Sequence, residues 1–110
     1  MTSPNIFDIK KAKKILSGIA SRTPLFKTQT AYPNFGQVFI KSETNQKTRS
    51  FKFRGAYNKI NSLSKDQKKA GVTAYSSGNH GHAVAYVANL MNIEAVIVMP
   101  NDAPEIKLLA

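Results

Sequence analysis

A lysine between two phenylalanines is the first feature of this sequence whose residue types could do chemistry. Lys52 stands between Phe51 and Phe53, and a small pair follows at Gly55 and Ala56. Aromatic neighbours can remove water from an ammonium group, which makes the neutral amine more available as a nucleophile toward an aldehyde. The same pattern is typical of an amphipathic helix or strand whose lysine points into solvent. Taken alone, the segment favours the solvated lysine.

A second candidate is a polar loop between a predicted strand and a predicted helix. Residues 72–75 are expected to form a short strand, and the sequence Ser-Ser-Gly-Asn-His-Gly follows at 76–81. Backbone N–H groups and hydroxyls at a helix N-terminus can bind an anion such as a carboxylate or a phosphate. The alternative is that the serines only cap the helix, and the loop alone favours that interpretation.

Together, the two segments resemble the fold-type II pyridoxal-phosphate enzymes, in the branch of the threonine dehydratases and serine racemases. That branch has a Ser-Phe-Lys-x-Arg-Gly-Ala motif and, downstream of it, a Ser-(Ser/Ala)-Gly-Asn-His-Gly loop, which correspond here to residues 50–56 and 76–81. The likeness extends over nearly the whole chain. The other matching positions are Thr23, Pro24, Leu25, Glu43, Gln46, Lys47, Thr48, Ala83, Ala85, Ala103, Pro104 and Lys107.

The resemblance implies an α/β fold like that of tryptophan synthase β, with three αβα layers and parallel strands. Members of the family are much longer than 110 residues, so this chain would be the N-terminal third of one and the fold would be incomplete. Residues 1–50 would be a segment of the large cofactor-binding domain. Residues 51–110 would carry the lysine helix and a β-α-β part of the small domain. The family's Gly-rich phosphate loop would lie outside this sequence.

The resemblance also implies a role for each site residue, with pyridoxal 5′-phosphate as the cofactor. Lys52 would hold the cofactor as a Schiff base and would carry a proton at the substrate. Phe51 would pack against the cofactor, and Asn79 would hydrogen-bond its phenolic oxygen. No metal is expected, because His80 and His82 are two residues apart and do not share a helix face. The residues implied to bind the substrate carboxylate are Ser76, Ser77, Gly78, Asn79 and His80.

The implied reaction is the deamination of L-threonine or L-serine to a 2-oxo acid by β-elimination, with this chain inactive by itself. Serine racemisation is one alternative, because Ser77 stands where the racemase has its second proton carrier and many dehydratases have alanine. In the racemase, the segment matching Lys47 and Thr48 also contributes to a nucleotide effector site. Two further alternatives are a non-catalytic truncated relative that serves as a binding or assembly fragment, and an unrelated basic binding module.

Arg49 departs from the family pattern, which usually has glycine directly before Ser-Phe-Lys. Glycine suits a backbone with positive φ, and an arginine there is expected to strain the turn that leads into Lys52.

The composition limits the classes of partner. Sixteen Lys and Arg against six Asp and Glu raise the question of nucleic acid, but the lysines are spread over expected wet helix faces without interleaved aromatic residues. We therefore expect no specific nucleic-acid partner. The chain has no cysteine, which fits a cytoplasmic setting, and no apolar run of membrane-spanning length, so no membrane partner is expected. Exposed sheet edges favour a homo-oligomer or a complementary fragment.

Hydrophobic spacing predicts the order of the elements. Proline and glycine clusters predict turns at 33–36 and 100–104. The predicted elements are an amphipathic helix over 5–18 starting at Ser3-Pro4, a short extended segment through Thr30, a strand over 37–41, a helix over 51–63, a short helix over 65–70 between Ser64 and Gly71, a β-α-β unit over 72–75, 79–91 and 95–99, and a helix from Glu105.

Overall fold

The computed structural model describes residues 3–28, 36–103 and 105. The first helix, α1, spans Ile6–Ile15 and begins at Asn5, whose side chain accepts hydrogen bonds from the N–H groups of Phe7 and Asp8. Asp8 bonds back to the N–H of Asn5, which completes a capping box. The predicted helix over 5–18 is therefore confirmed in most of its length, but its cap is Asn5 and not Ser3, because this reciprocal pair sets the cap, and the helix ends at Ile15.

A short antiparallel pair follows α1. Strand β1 spans Leu25–Lys27 and strand β2 spans Phe39–Lys41, with Phe26 opposite Ile40. The predicted 37–41 strand is thus confirmed only in its last three residues. Both strands are exposed along their length. The predicted turn at 33–36 falls mainly on residues outside the described ranges.

The lysine of the first motif begins a helix. After a short 3₁₀ helix at Glu43–Asn45, helix α2 spans Lys52–Asn61 and helix α3 spans Lys65–Ala70. Ser64 and Gln67 form a capping box at the start of α3, and Gly71 ends it with a φ of 84°. Both ends of this short helix are as predicted, because its capping residues are local in the sequence.

The predicted β-α-β unit is present. Strand β3 (Val72–Tyr75), helix α4 (Asn79–Leu90) and strand β4 (Ala95–Val98) follow in order, and β3 pairs with β4 in parallel. Helix α4 passes very close to the turn after β3. A Cβ on Gly81 would lie 2.6 Å from the Ser76 carbonyl oxygen. The predicted turn near Pro100 is also present, and the predicted helix from Glu105 lies almost wholly outside the described residues.

The core lies between α2 and α4. Phe53 is fully buried, and its ring lies 6.0 Å from that of Tyr57 and 5.9 Å from that of Tyr86, measured between ring centres. This packing fixes α2 against the β-α-β unit. Within the described residues, no helix is long and apolar enough to cross a membrane. The buried apolar residues of this cluster are Phe53, Ala56, Ile60, Ala83, Val84 and Val87.

Arg49 has a φ of 53°, as the glycine of the family pattern led us to expect. A non-glycine residue in this left-handed region destabilises the folded state by roughly 1–2 kcal/mol. Glycine removes this strain, but it also loses more conformational entropy on folding, so replacing the residue with glycine recovers only part of the free energy. We expect Arg49→Gly to raise the free energy of unfolding by about 0.5–1 kcal/mol, measured by urea denaturation.

Asn92 provides the matched control for Arg49, because its φ is also 53°. Asparagine tolerates the left-handed region, so Asn92→Gly should change stability by less than Arg49→Gly does. A loss of stability in Arg49→Gly would show that the arginine side chain makes a compensating contact.

Candidate active site

An apolar cleft lies between α2, α3 and β3. Its volume is about 670 Å³, and most of its wall comes from one side of α2 together with β3. Lys52, Phe51 and His80 all line it, so the structure brings the lysine of the first motif and the histidine of the second to one cavity. Lys59, seven residues after Lys52 on the same helix, lines it as well. Sequence reasoning did not single out Lys59.

The two phenylalanines beside Lys52 occupy different environments. Phe51 is 63% exposed, and the Lys52 Nζ atom lies 5.2 Å from the centre of its ring. Phe53 instead points into the core, where its ring has the Nζ atom of Lys47 at 5.8 Å. Lys52 itself is exposed. This exposure agrees with the solvated lysine that the segment alone favours. The two phenylalanines do not both flank the ammonium group, because successive helical side chains point about 100° apart.

The polar loop of the second motif forms the start of α4. Gly78 is the N-cap residue and has no side chain to accept a hydrogen bond from the first turn, and none of the described side chains replaces it there. The Ser76 hydroxyl instead accepts from the Gly78 N–H at 3.2 Å, one residue before the helix. The first N–H groups of α4 therefore lack a side-chain cap. This arrangement favours the anion-binding interpretation of the loop over the capping interpretation.

The remaining residues of the second motif adjoin the cleft without lining it. Ser76, Ser77 and Gly78 are half-buried, while Asn79 is exposed in the first turn of α4 beside His80. The cleft is thus lined by an amine that can react with an aldehyde, by an aromatic ring beside it and by His80, which lies in the uncapped first turn of α4. This donor set fits a cofactor that carries an aldehyde and anionic groups.

Arg54, two residues after Lys52 in the first turn of α2, forms an ion pair with Glu43. The Arg54 guanidinium donates from Nε to Glu43 Oε2 at 2.8 Å and from Nη2 to Glu43 Oε1 at 2.7 Å. Arg54 Nη2 also donates to the Ser21 carbonyl oxygen at 3.2 Å, and the Thr23 hydroxyl donates to Glu43 Oε1. The paired charges thereby join the segment around Ser21 to α2 in a bidentate geometry.

Gln46 makes a second connection to the same segment. Its side chain is almost fully buried, accepting from the Ser21 N–H at 2.9 Å and donating to the Ser21 carbonyl at 3.1 Å. The resemblance placed Glu43 and Gln46 among the matching positions, but no sequence signal indicated that Gln46 and Arg54 both bond to Ser21 while Glu43 bonds to Arg54 and Thr23. We call Glu43, Gln46 and Arg54, together with residues 21–23, the Ser21 cluster.

The Ser21 cluster predicts a specific pH dependence of stability. The Arg54 hydrogen bond is the main factor that lowers the pKa of Glu43 from 4.5 to about 2; burial opposes this, and the Thr23 hydroxyl adds to the lowering. Because the folded pKa is depressed, the stabilisation is complete above pH 4.5 and is lost as the pH falls toward 2. For a pair partly open to solvent, we expect the loss to be about 2 kcal/mol.

Urea unfolding between pH 6 and pH 2 measures this dependence. Glu43→Gln should lower stability at pH 6 and flatten the acid slope, whereas Glu94→Gln, an exposed glutamate, should leave the slope unchanged. An identical slope in Glu43→Gln and the parent chain would contradict the assignment.

Comparison with known proteins identifies the family. The sequence pattern of the family described as pyridoxal-phosphate dependent enzyme matches residues 16–110. The chain is 50% identical over 104 residues to the L-threo-3-hydroxyaspartate ammonia-lyase of a Pseudomonas species, covering 94% of this chain and 33% of that protein. It is 48% identical over 102 residues to the catabolic L-threonine dehydratase of Staphylococcus aureus, covering 91% of this chain and 30% of that protein.

Solved structures agree with this result. Maize serine racemase has a TM-score of 0.87 and 38% identity to this chain, over 98% of this chain and 33% of the racemase chain. The predicted fold-type II α/β architecture is therefore confirmed. The chain spans about a third of the length of these relatives. The family's cofactor is pyridoxal 5′-phosphate, and this chain belongs to the family of pyridoxal-phosphate dependent enzymes.

Proposed function

We propose that this chain supplies the cofactor lysine and the substrate-carboxylate loop of a pyridoxal-phosphate dependent ammonia-lyase. The observation that carries the proposal is that Lys52 lines the same cleft as His80, which lies in the uncapped first turn of α4. The proposed substrates are L-threonine and L-serine, and the proposed products are a 2-oxo acid and ammonia. The relatives named for L-threonine and for L-threo-3-hydroxyaspartate support a 3-hydroxy amino acid as the substrate class.

Each residue of the site has a proposed task. Lys52 holds the cofactor covalently through its side-chain amine and moves a proton at the substrate Cα. Phe51 packs beside the cofactor, and Asn79 donates a hydrogen bond to its phenolic oxygen. The N–H groups and hydroxyls of residues 76–80 bind the substrate carboxylate, and fixed donors of this kind also stabilise developing negative charge. The cofactor, when bound, supplies the electron sink for the electrons left at Cα.

Serine racemisation is the second candidate function, favoured by the likeness to maize serine racemase and by the serine at position 77. If Ser77 moves a proton on the face opposite Lys52, Ser77→Ala should lower racemisation by about 10²–10⁴-fold and leave most of the elimination activity. Chiral analysis of the remaining serine, run beside keto-acid release on a full-length chimera that carries this chain, separates the two. Equal loss of both activities would make Ser77 a carboxylate-binding residue only.

A chimera tests the main proposal. In the Staphylococcus aureus dehydratase, the 102 matching residues are replaced by those of this chain, and 2-oxo acid release is measured with L-threonine, L-serine and L-threo-3-hydroxyaspartate. We expect release from at least one of the three. The 110-residue chain alone should release none, because it spans about a third of such an enzyme. A folded chimera that binds the cofactor but turns over no substrate would overturn the proposal.

A further inference from the structure

We propose that Glu43, Gln46 and Arg54 are positioning residues that hold Lys52 toward the cleft by fixing both ends of the segment that carries it. This inference rests on the proposed function, because it assumes that Lys52 is the reactive amine. It goes beyond that function because it gives Glu43, Gln46 and Arg54 a role in the reactivity of Lys52. None of the three is proposed to touch the cofactor or the substrate.

The first turn of α2 carries both Lys52 and Arg54. Residues two apart on a helix point about 200° apart, so Arg54 and Lys52 lie on opposite sides of the first turn. Arg54 is held by Glu43 in a bidentate pair and by the Ser21 carbonyl oxygen. Fixing Arg54 on one side of the turn therefore fixes the direction of Lys52 on the other, toward the cleft that it lines.

The loop before Lys52 is attached to the same segment around Ser21. Gln46 pairs with both backbone groups of Ser21, and its own carbonyl oxygen accepts from the Arg49 N–H at 2.7 Å. Lys52 thus stands between two anchors, six residues after Gln46 and two residues before Arg54, and both anchors bond to Ser21. The strained φ of 53° at Arg49 lies between the anchors and is maintained by them.

The pair that holds Arg54 is partly buried. The Glu43 side chain is 15% exposed and the Arg54 side chain 30% exposed, so the pair is partly shielded from solvent. Charged, bidentate hydrogen bonds in such surroundings are directional and hold one geometry. Lys59, by contrast, lines the same cleft from the same helix, about two turns after Lys52 and about 1.4 turns after Arg54, and it is not placed between the two anchors. Lys59 therefore serves as an internal reference for an unpositioned amine.

The experiment measures the ratio of cofactor attachment at Lys52 to that at Lys59. The chain is treated with limiting pyridoxal phosphate, reduced with borohydride and mapped by peptide mass spectrometry. We expect attachment at Lys52 to exceed attachment at Lys59 by at least about tenfold, and Glu43→Gln to reduce this ratio at least about fivefold. Arg54→Lys keeps the charge but loses the bidentate hydrogen bonding of the guanidinium to Glu43, so it should give an intermediate ratio. Glu94→Gln should leave the ratio unchanged.

A core variant distinguishes the loss of positioning from a general loss of stability. Val87→Ala removes buried methyl groups without touching the Ser21 cluster and should leave the ratio at its original value. All variants are compared well below their thermal midpoints, with circular dichroism to confirm the fold. The inference is overturned if folded Glu43→Gln keeps the original ratio, or if Val87→Ala lowers the ratio as much. Equal attachment at both lysines in the unmutated chain would overturn the proposed function, and this inference with it.

Discussion

Lys52→Ala is expected to reduce 2-oxo acid release by the chimera at least about 10²–10⁴-fold, the range that a single proton-transferring group contributes. The effect should exceed that of any other side chain in the cleft, because the same amine both holds the cofactor and moves the proton. Lys59→Ala is the matched control. It removes an ammonium group from the same wall of the same cleft and should change the rate by less than about threefold.

Covalent trapping checks the same assignment without turnover. After borohydride reduction, the label should be found on Lys52, and Lys52→Ala should remove it rather than move it to Lys47 or Lys59. Lys47 is a stringent control for this assignment. Its Nζ atom lies 5.8 Å from the ring centre of Phe53, the residue directly after Lys52, so it is also an amine beside an aromatic ring. Label spread evenly over several lysines would contradict the assignment.

Gly81→Ala is expected to lower the free energy of unfolding by about 3 kcal/mol or more, or to prevent folding. The added Cβ would lie 2.6 Å from the Ser76 carbonyl oxygen and 3.0 Å from Ile97 Cγ2. The nearer atom belongs to the backbone, so relief requires α4 to move away from β3. The same movement would displace the turn that presents residues 76–80. Thermal and urea unfolding measure the loss.

Gly55→Ala is the control for Gly81→Ala. Gly55 is also helical, and its added Cβ would have no atom within 4 Å. Alanine favours a helix over glycine by about 1 kcal/mol, so this variant should be more stable than the parent chain. If both variants lost the same stability, a general effect of losing glycine would replace the close approach of α4 as the explanation.

Local sequence patterns determined most of the secondary structure. The capping pair at Ser64 and Gln67, the glycine that ends α3 and the short runs of apolar and β-branched residues in β3 and β4 each act over a few residues, so they can be recognised without the rest of the chain. The two motifs around Lys52 and residues 76–81 also identified the family from the sequence. The positive φ at Arg49 was predicted from the same resemblance, because the family usually has glycine at this position.

The division into a large-domain segment at 1–50 and a small-domain part at 51–110 remains a prediction. The Ser21 cluster crosses that boundary, because Arg54 on one side bonds to Glu43 and Ser21 on the other. These hydrogen bonds oppose local opening of the chain near residue 50. We therefore expect limited proteolysis there to be slow, even if 1–50 and 51–110 belong to separate domains.

Tertiary structure alone decided which side chains face the site. The sequence placed phenylalanines on both sides of Lys52, yet only Phe51 accompanies it, because burial against Tyr86 of α4 requires Phe53 to face the core. Lys59 lines the cleft because α2 packs beside α3 and β3, and Glu43 meets Arg54 across a separation of 11 residues. Neither contact follows a helical or strand period, so no local pattern records it. The sequence by itself thus determined the helices, the strands and the reactive residue types. Long-range contacts decided their directions, because the free energy of burial depends on partners that are brought together only by the fold.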